Sequence, residues 1–191
     1  MRMGRAIKAR VATAAMGMAL ASCGGIAKKT MEPEPAARAE IRGFLPNTQE
    51  GTLYFTELPT KGLHIQGTIK GLLPERSYAV HIHEKGSCEN PDAAGMHFDP
   101  AQSGRHGPPG EAPSEHHAGD LPNVMTNGDG EATIDFTTTS LGVDGGDFSI
   151  VGRSVVLDSR PDDYQTQPSG GSEPEVACGV IENAPGAATE G

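Results

Sequence analysis

Six of the seven histidines in this 191-residue chain fall between positions 81 and 117, in stretches reading HIHEKGSC, GMHFDP, GRH and HHAGD. Imidazole is the most versatile side-chain metal ligand near neutral pH. Grouped with one carboxylate, Asp120, it suits a divalent transition metal better than calcium or magnesium. His81 and His83 stand two apart on a predicted strand, so both rings leave the same face. Such a pair alone is an ordinary finding on a wet strand face. His97, His106, His117 and Asp120 within the next 37 residues turn it into a metal-binding pattern.

These ligands need a scaffold, and its signals are β. Leu63, Ile65, Gly67 and Ile69 alternate with His64, Gln66, Thr68 and Lys70, giving one apolar and one wet face. His64 therefore faces solvent and is set aside as a ligand. Further strands are predicted over 51–58, 78–84, 131–139, 148–157 and 176–181, with turns at 127–130 and 144–146. No stretch has helical periodicity, so an all-β antiparallel sandwich or barrel is expected. Two long segments, 85–123 and 158–175, are rich in Gly, Pro, Asp and Ser and resist strand assignment. Loops of that length in a compact domain are usually functional or disordered, and the first carries four candidate ligands and Cys88.

The first 22 residues read as an address. Arg2, Arg5, Lys8 and Arg10 stand without an acid, an apolar run follows from Val11 to Leu20, and Leu20-Ala21-Ser22 precedes Cys23. Ten apolar residues are too few to span a bilayer, so a cleaved export signal is expected. The small residues before Cys23 resemble a bacterial lipobox, which implies a lipid on Cys23 and a domain anchored to a membrane of the cell envelope, facing the periplasm or the exterior. Residues 23–39 then form a Pro- and Ala-rich tether, 40–183 the domain, and 184–191 a frayed tail. Removing the signal takes away four positive residues from a formal charge of -10, leaving the mature chain near -14 and a poor partner for nucleic acid. Five Phe, three Tyr and no Trp leave a mostly aliphatic core. Without Cys23, Cys88 and Cys178 remain as an even pair, which an oxidising compartment favours joining; two unrelated buried thiols are the alternative. Such a bridge would contribute roughly 4 kcal/mol on the chain-entropy model.

Together the ligand pattern and the runs GTIKGLLP, HIHEKGSC, GMHFDP, HAGDLPN, NGDGEAT, GRSVV and ACGVI resemble the copper/zinc superoxide dismutase family over about residues 40 to 182. The resemblance implies a Greek-key β-sandwich or flattened barrel of about eight antiparallel strands with two long functional loops, since that family is itself a known instance of the sandwich architecture. It implies that His81 and His83 ligate copper, that His97 bridges copper and zinc, and that His106, His117 and Asp120 complete the zinc set. Asp162 matches an aspartate that hydrogen-bonds one histidine of each metal, and Cys88 and Cys178 match the family disulfide. His116, beside His117, is expected to be an exposed loop residue. The cofactors implied are zinc and copper, the substrate is superoxide, and the chain is compatible with a homodimer.

Three positions depart from the family pattern. Asp158 stands where the fourth copper histidine is expected, Glu175 where an arginine beside the copper is expected, and Tyr78 where a supporting histidine is common. In the family, copper alternates between oxidation states as superoxide is oxidised to dioxygen and then reduced to hydrogen peroxide. A carboxylate at position 158 is a hard ligand that serves reduced copper poorly. Glu175 in place of a cation opposes the attraction of anionic superoxide. The expectation is an intact zinc site and an incomplete copper site with dismutation weak or lost, either as a slow enzyme or as a zinc-bound scaffold that buffers copper or binds a partner. The alternative is an active dismutase using Asp158 as copper ligand, with Arg153 or Arg160 steering the substrate.

Overall fold

A computed structural model describes residues 33–185 except 47 and 144. The export signal, Cys23, most of the tether and the tail from 186 lie outside the described residues. Among the described residues nine strands follow in chain order: β1 (Ala37–Gly43), β2 (Glu50–Glu57), β3 (Leu63–Lys70), β4 (Ser77–Tyr78), β5 (Val80–His83), β6 (Val124–Met125), β7 (Ala132–Thr138), β8 (Ser154–Asp158) and β9 (Glu175–Asn183). Seven of them form one antiparallel sheet in the order β5-β8-β9-β1-β2-β3-β7, and β4 pairs with β6. The sole helical segment among the described residues is one 3-10 turn, Pro91–Ala94, capped by the Asn90 side chain.

The sheet curls so that its inward positions meet in one apolar, mostly aliphatic cluster. Ile41, Leu53, Phe55, Ile65, Ile82, Ile134, Leu157 and Ile181, drawn from seven strands, are all buried there. Burying each such side chain contributes about 1.5–3 kcal/mol, and this sets the register, because a one-residue slip would turn every one outward. His64 lies on the wet face of β3, where its Nε2 is 2.7 Å from Asp135 on β7.

The structure departs from the sequence-based expectation at several elements. Tether residues 37–39 belong to β1, whose Ala37, Ala39 and Ile41 alternate inward; two alanines carry too little apolar signal to mark a strand. The strand predicted over 78–84 is split: Tyr78 pairs with Val124, and its hydroxyl accepts from the N–H of Leu73. Tyr78 is therefore a core residue turned away from the histidines. Of the stretch 148–157 only the part from Ser154 onward is strand, and β8 runs one residue further, to Asp158.

Candidate metal centre

Every residue of β5 is buried. Val80 and Ile82 point into the core, while His81 and His83 leave the opposite face, where the long loops cover them. On one side β5 pairs with β8; on the other it bridges to loop residues, His81 to Asp120 and His83 to His97. The covering loop is stitched down by Ile82 N–H donating to Gly119 O, Phe98 N–H to Ile82 O and Gly119 N–H to Phe98 O. A Cβ at Gly119 would collide with Ile82 O, so glycine in the HAGD run is what lets the ligand loop lie on the strand. Cys88 and Cys178 are joined by a disulfide, with Cα atoms 5.6 Å apart, tying the start of the same loop to β9.

His97, His106, His117 and Asp120 form one group whose donor atoms lie within 4.8 Å of one another. Asp120 Oδ1 is 2.8, 3.0 and 3.4 Å from Nδ1 of His97, His106 and His117. A tetrahedral zinc with bonds of about 2.0–2.1 Å has ligand–ligand edges of about 3.3 Å, so this is the outline of such a site. Nδ1 of His106 and of His117 are buried without a hydrogen-bond partner, as atoms awaiting a metal would be. The second oxygen of Asp120 accepts from Gly107 N–H. Burial opposes ionisation of Asp120, but the imidazoles of His106, His116, His117 and His97 gathered around it outweigh that and hold the carboxyl well below the usual range. The donor set and its orphaned nitrogens fit zinc.

His116 is not the exposed loop residue expected from the sequence. It is buried, its Nε2 donates to Glu111 O, and its Nδ1 lies 3.8 Å from Asp120 Oδ2. The loop folds back over the zinc half, carrying His116 beneath it, which a lone polar residue in a turn-rich run does not foretell.

His81, His83 and His97 form a second group within the same 4.8 Å spread. His83 Nδ1 donates to Gly95 O, leaving a buried Nε2 without a partner. Burial lowers His83 to about 4, with the charge on His81 adding to the effect. Burial followed by His81 likewise lowers His97 to about 3. His81 is different, because a carboxylate sits at each ring nitrogen. Nε2 is 2.9 Å from Asp162 and Nδ1 is 3.0 Å from Asp158. Burial pushes its pKa down, yet these two partners together raise it above the ordinary value. Asp162 reaches His106 Nε2 at 2.8 Å with its other oxygen, so it joins His81 to His106. For His106, burial is again outweighed, here by Asp120 and Asp162, and its pKa is pushed up to about 9.

Asp158 thus closes β8 beside the three histidines with one oxygen, Oδ2, held by His81 and by Ser172 Oγ at 2.7 Å. Its Oδ1 is buried and unpartnered. Glu175 stands opposite Asp158 across β8 and β9, with Oε1 3.9 Å from His83 Nδ1. Burial, then the charge of Asp158, raises Glu175 to about 7. A cavity of about 320 Å³ opens from this half to solvent, lined by His83, His97, Met96, Asp158, Glu173 and Glu175 among others, with no lysine or arginine among its described lining residues. Arg153 is elsewhere: its guanidinium stacks 3.5 Å over the Phe98 ring and donates to the carbonyls of Ser149 and Glu84. Arg160 does not line the cavity either. This half therefore presents three histidines beside a carboxylate that is already paired with one of them.

Three supports carry no mark in the sequence. Ser172 holds Asp158, Gln167 brackets the backbone of His106 from both sides, and Asn123 does the same for Asp162. Each is a single polar residue in an irregular loop, and no spacing points to it.

A curled antiparallel barrel whose strand face and two covering loops carry paired imidazole sites is a metalloprotein fold of a defined type. The family profile for copper/zinc superoxide dismutase (SODC) matches residues 49–181. A superoxide dismutase [Cu-Zn] of Deinococcus radiodurans is 33% identical over 180 residues, 88% of this chain and 92% of that one. A superoxide dismutase [Cu-Zn] of Caulobacter vibrioides is 40% identical over 138 residues, 69% and 77% of the two chains. Among solved structures, that of the clock protein EA4 superposes with a TM-score of 0.70 at 32% identity, covering 81% of this chain and 98% of its own. The chain belongs to the copper/zinc superoxide dismutase family.

Proposed function

We propose that this protein is an exported, lipid-anchored member of its family that keeps the zinc site and has given up most or all superoxide dismutation. The observation that carries this reading is the cavity over the copper half. Asp92, Asp158, Glu173 and Glu175 line it without a compensating lysine or arginine among the described lining residues. An anion approaching such a mouth is repelled, whereas a cleft lined with positive charge would focus it. Asp158 adds a second obstacle, because its Oδ2 is engaged with Nδ1 of His81, the nitrogen that Asp162 leaves for copper. The zinc half would be held by His97, His106, His117 and Asp120, a four-ligand set with no open position, which serves structure rather than hydrolysis.

The test is superoxide dismutation by the purified protein reconstituted with copper and zinc. A rate at least about a hundredfold below the diffusional ceiling of roughly 10⁸–10⁹ M⁻¹s⁻¹ is expected. Turnover near that ceiling would overturn the proposal and make Asp158 a competent copper ligand. The membrane part is tested separately, by fractionating cells that express the protein or its Cys23→Ser variant. Wild type is expected with the membranes and the variant in the soluble fraction; wild-type protein in the soluble fraction would overturn the anchor.

A further inference from the structure

The zinc ligands lie under the covering loop, so an ion needs a way in. The side chains of His106 and Asp120 are fully covered, and those of His97 and His117 are 5% and 9% exposed. A cavity of about 280 Å³ reaches Asp120 between Pro109–Gly110 and the end of β7, and it shares no lining residue with the cavity over the copper half. Its exposed lining residues Gly110, Thr137 and Thr139 mark where it meets solvent. Beside Asp120 in that lining stands His116, buried, with an Nδ1 that has no hydrogen-bond partner. Its Nε2 donates to Glu111 O at 3.1 Å, so in the neutral ring Nδ1 carries the free lone pair. That nitrogen lies 3.8 Å from Asp120 Oδ2, whereas Oδ1 of the same carboxylate is turned to His97, His106 and His117.

From this arrangement we propose that His116 is an entry ligand for zinc: its Nδ1 and Asp120 Oδ2 receive the ion at the inner end of the cavity, and Asp120 passes it through Oδ1 to the three zinc histidines. A zinc bonded at about 2.0–2.2 Å to each of two donors spans up to roughly 4 Å, and the 3.8 Å between Nδ1 and Oδ2 lies within that reach. Oδ2 keeps its bond from Gly107 N–H, because a carboxylate oxygen accepts at two lone pairs. His116 stands outside the four-ligand group, so it offers a station on the way and no fifth bond at the end. Two protein ligands hold zinc loosely and four hold it firmly, which gives the transfer its direction. This inference rests on the reading that His97, His106, His117 and Asp120 hold zinc.

The experiment strips the purified protein with chelator and follows zinc alone. It measures the rate of uptake by stopped flow, the rate of release into excess chromogenic chelator, and the equilibrium affinity. His116→Gln puts an amide nitrogen near the place of Nε2, where it can still donate to Glu111 O, and removes Nδ1. Uptake and release are both expected to slow by about tenfold with the affinity unchanged, because a path that lowers a barrier lowers it in both directions. Thr139→Phe narrows the mouth at an exposed residue that is no ligand, and it is expected to slow both rates in the same way. Wild-type rates in either variant would overturn the inference. Faster release with weaker binding in His116→Gln would also overturn it, since that marks a support of the finished site. A wild type that binds no zinc would overturn the four-ligand reading as well, whereas a wild type that binds one zinc and a His116→Gln variant with unchanged rates would overturn this inference alone.

Discussion

Asp158 Oδ2 lies 3.0 Å from Nδ1 of His81, whose Nε2 is 2.9 Å from Asp162. His81 is fully buried with a carboxylate at each ring nitrogen, and these two partners raise its pKa against the effect of burial in the metal-free protein. Removing one partner of a buried ion pair strands the other, at a cost of about 3–5 kcal/mol. Asp158→Asn keeps the shape and loses the charge. It is expected to destabilise the metal-free protein by about 3 kcal/mol, near the lower end of that range. Urea unfolding of the two proteins at neutral pH checks it.

Glu175 supplies the opposite sign. Burial and the charge of Asp158 raise its pKa from 4.5 to about 7 in the folded chain. The native state therefore holds a proton that the unfolded chain releases earlier, and stability present below 4.5 is lost as pH rises through about 7. In the metal-free protein, Glu175→Gln should match wild type at pH near 4 and exceed it at pH near 8. Denaturation midpoints across that window measure the difference.

The zinc half should act as a structural clamp. At free zinc about a thousandfold above its dissociation constant, binding to the native state alone adds about 4 kcal/mol. Asp120→Ala removes the oxygen that lies within 3.4 Å of three Nδ1 atoms. The variant is expected to lose most of the rise in Tm that zinc gives the wild type, as read by thermal unfolding with and without the metal.

Gly119 is a tight point between the ligand loop and β5. A Cβ there would meet Ile82 O and come within 3.0 Å of Phe98 N. Gly119→Ala should cost about 1–3 kcal/mol, as overpacking does, and should weaken zinc binding because Asp120 is the next residue. Both effects are readable from one zinc titration followed by unfolding.

The ligands are legible in the sequence because histidines two apart on a strand, followed by a run of imidazoles around one aspartate, seldom occur together except around a metal. Alternation in β3 also announces its strand, since Leu63, Ile65 and Ile69 are large enough to carry a periodic signal. Strand β1 is hidden by Ala37 and Ala39, which fill inward positions without looking hydrophobic. The burial of His116 depends on a loop folding back over Asp120, a tertiary event without a local mark. The same holds for Ser172, whose hydroxyl fixes Asp158 from fourteen residues away. Asp158 and Glu175 stand out as substitutions, but their opposition across β8 and β9 needs the register between strands.

If two acidic substitutions on an otherwise sound scaffold silence the copper half, reversing both should restore it. The deciding quantity is the dismutation rate of the copper- and zinc-loaded double variant Asp158→His with Glu175→Arg, measured beside wild type under identical loading. A gain of at least about a hundredfold, worth roughly 2.7 kcal/mol of barrier, is expected. Equal rates, or a wild type already turning over near the diffusional limit, would contradict it.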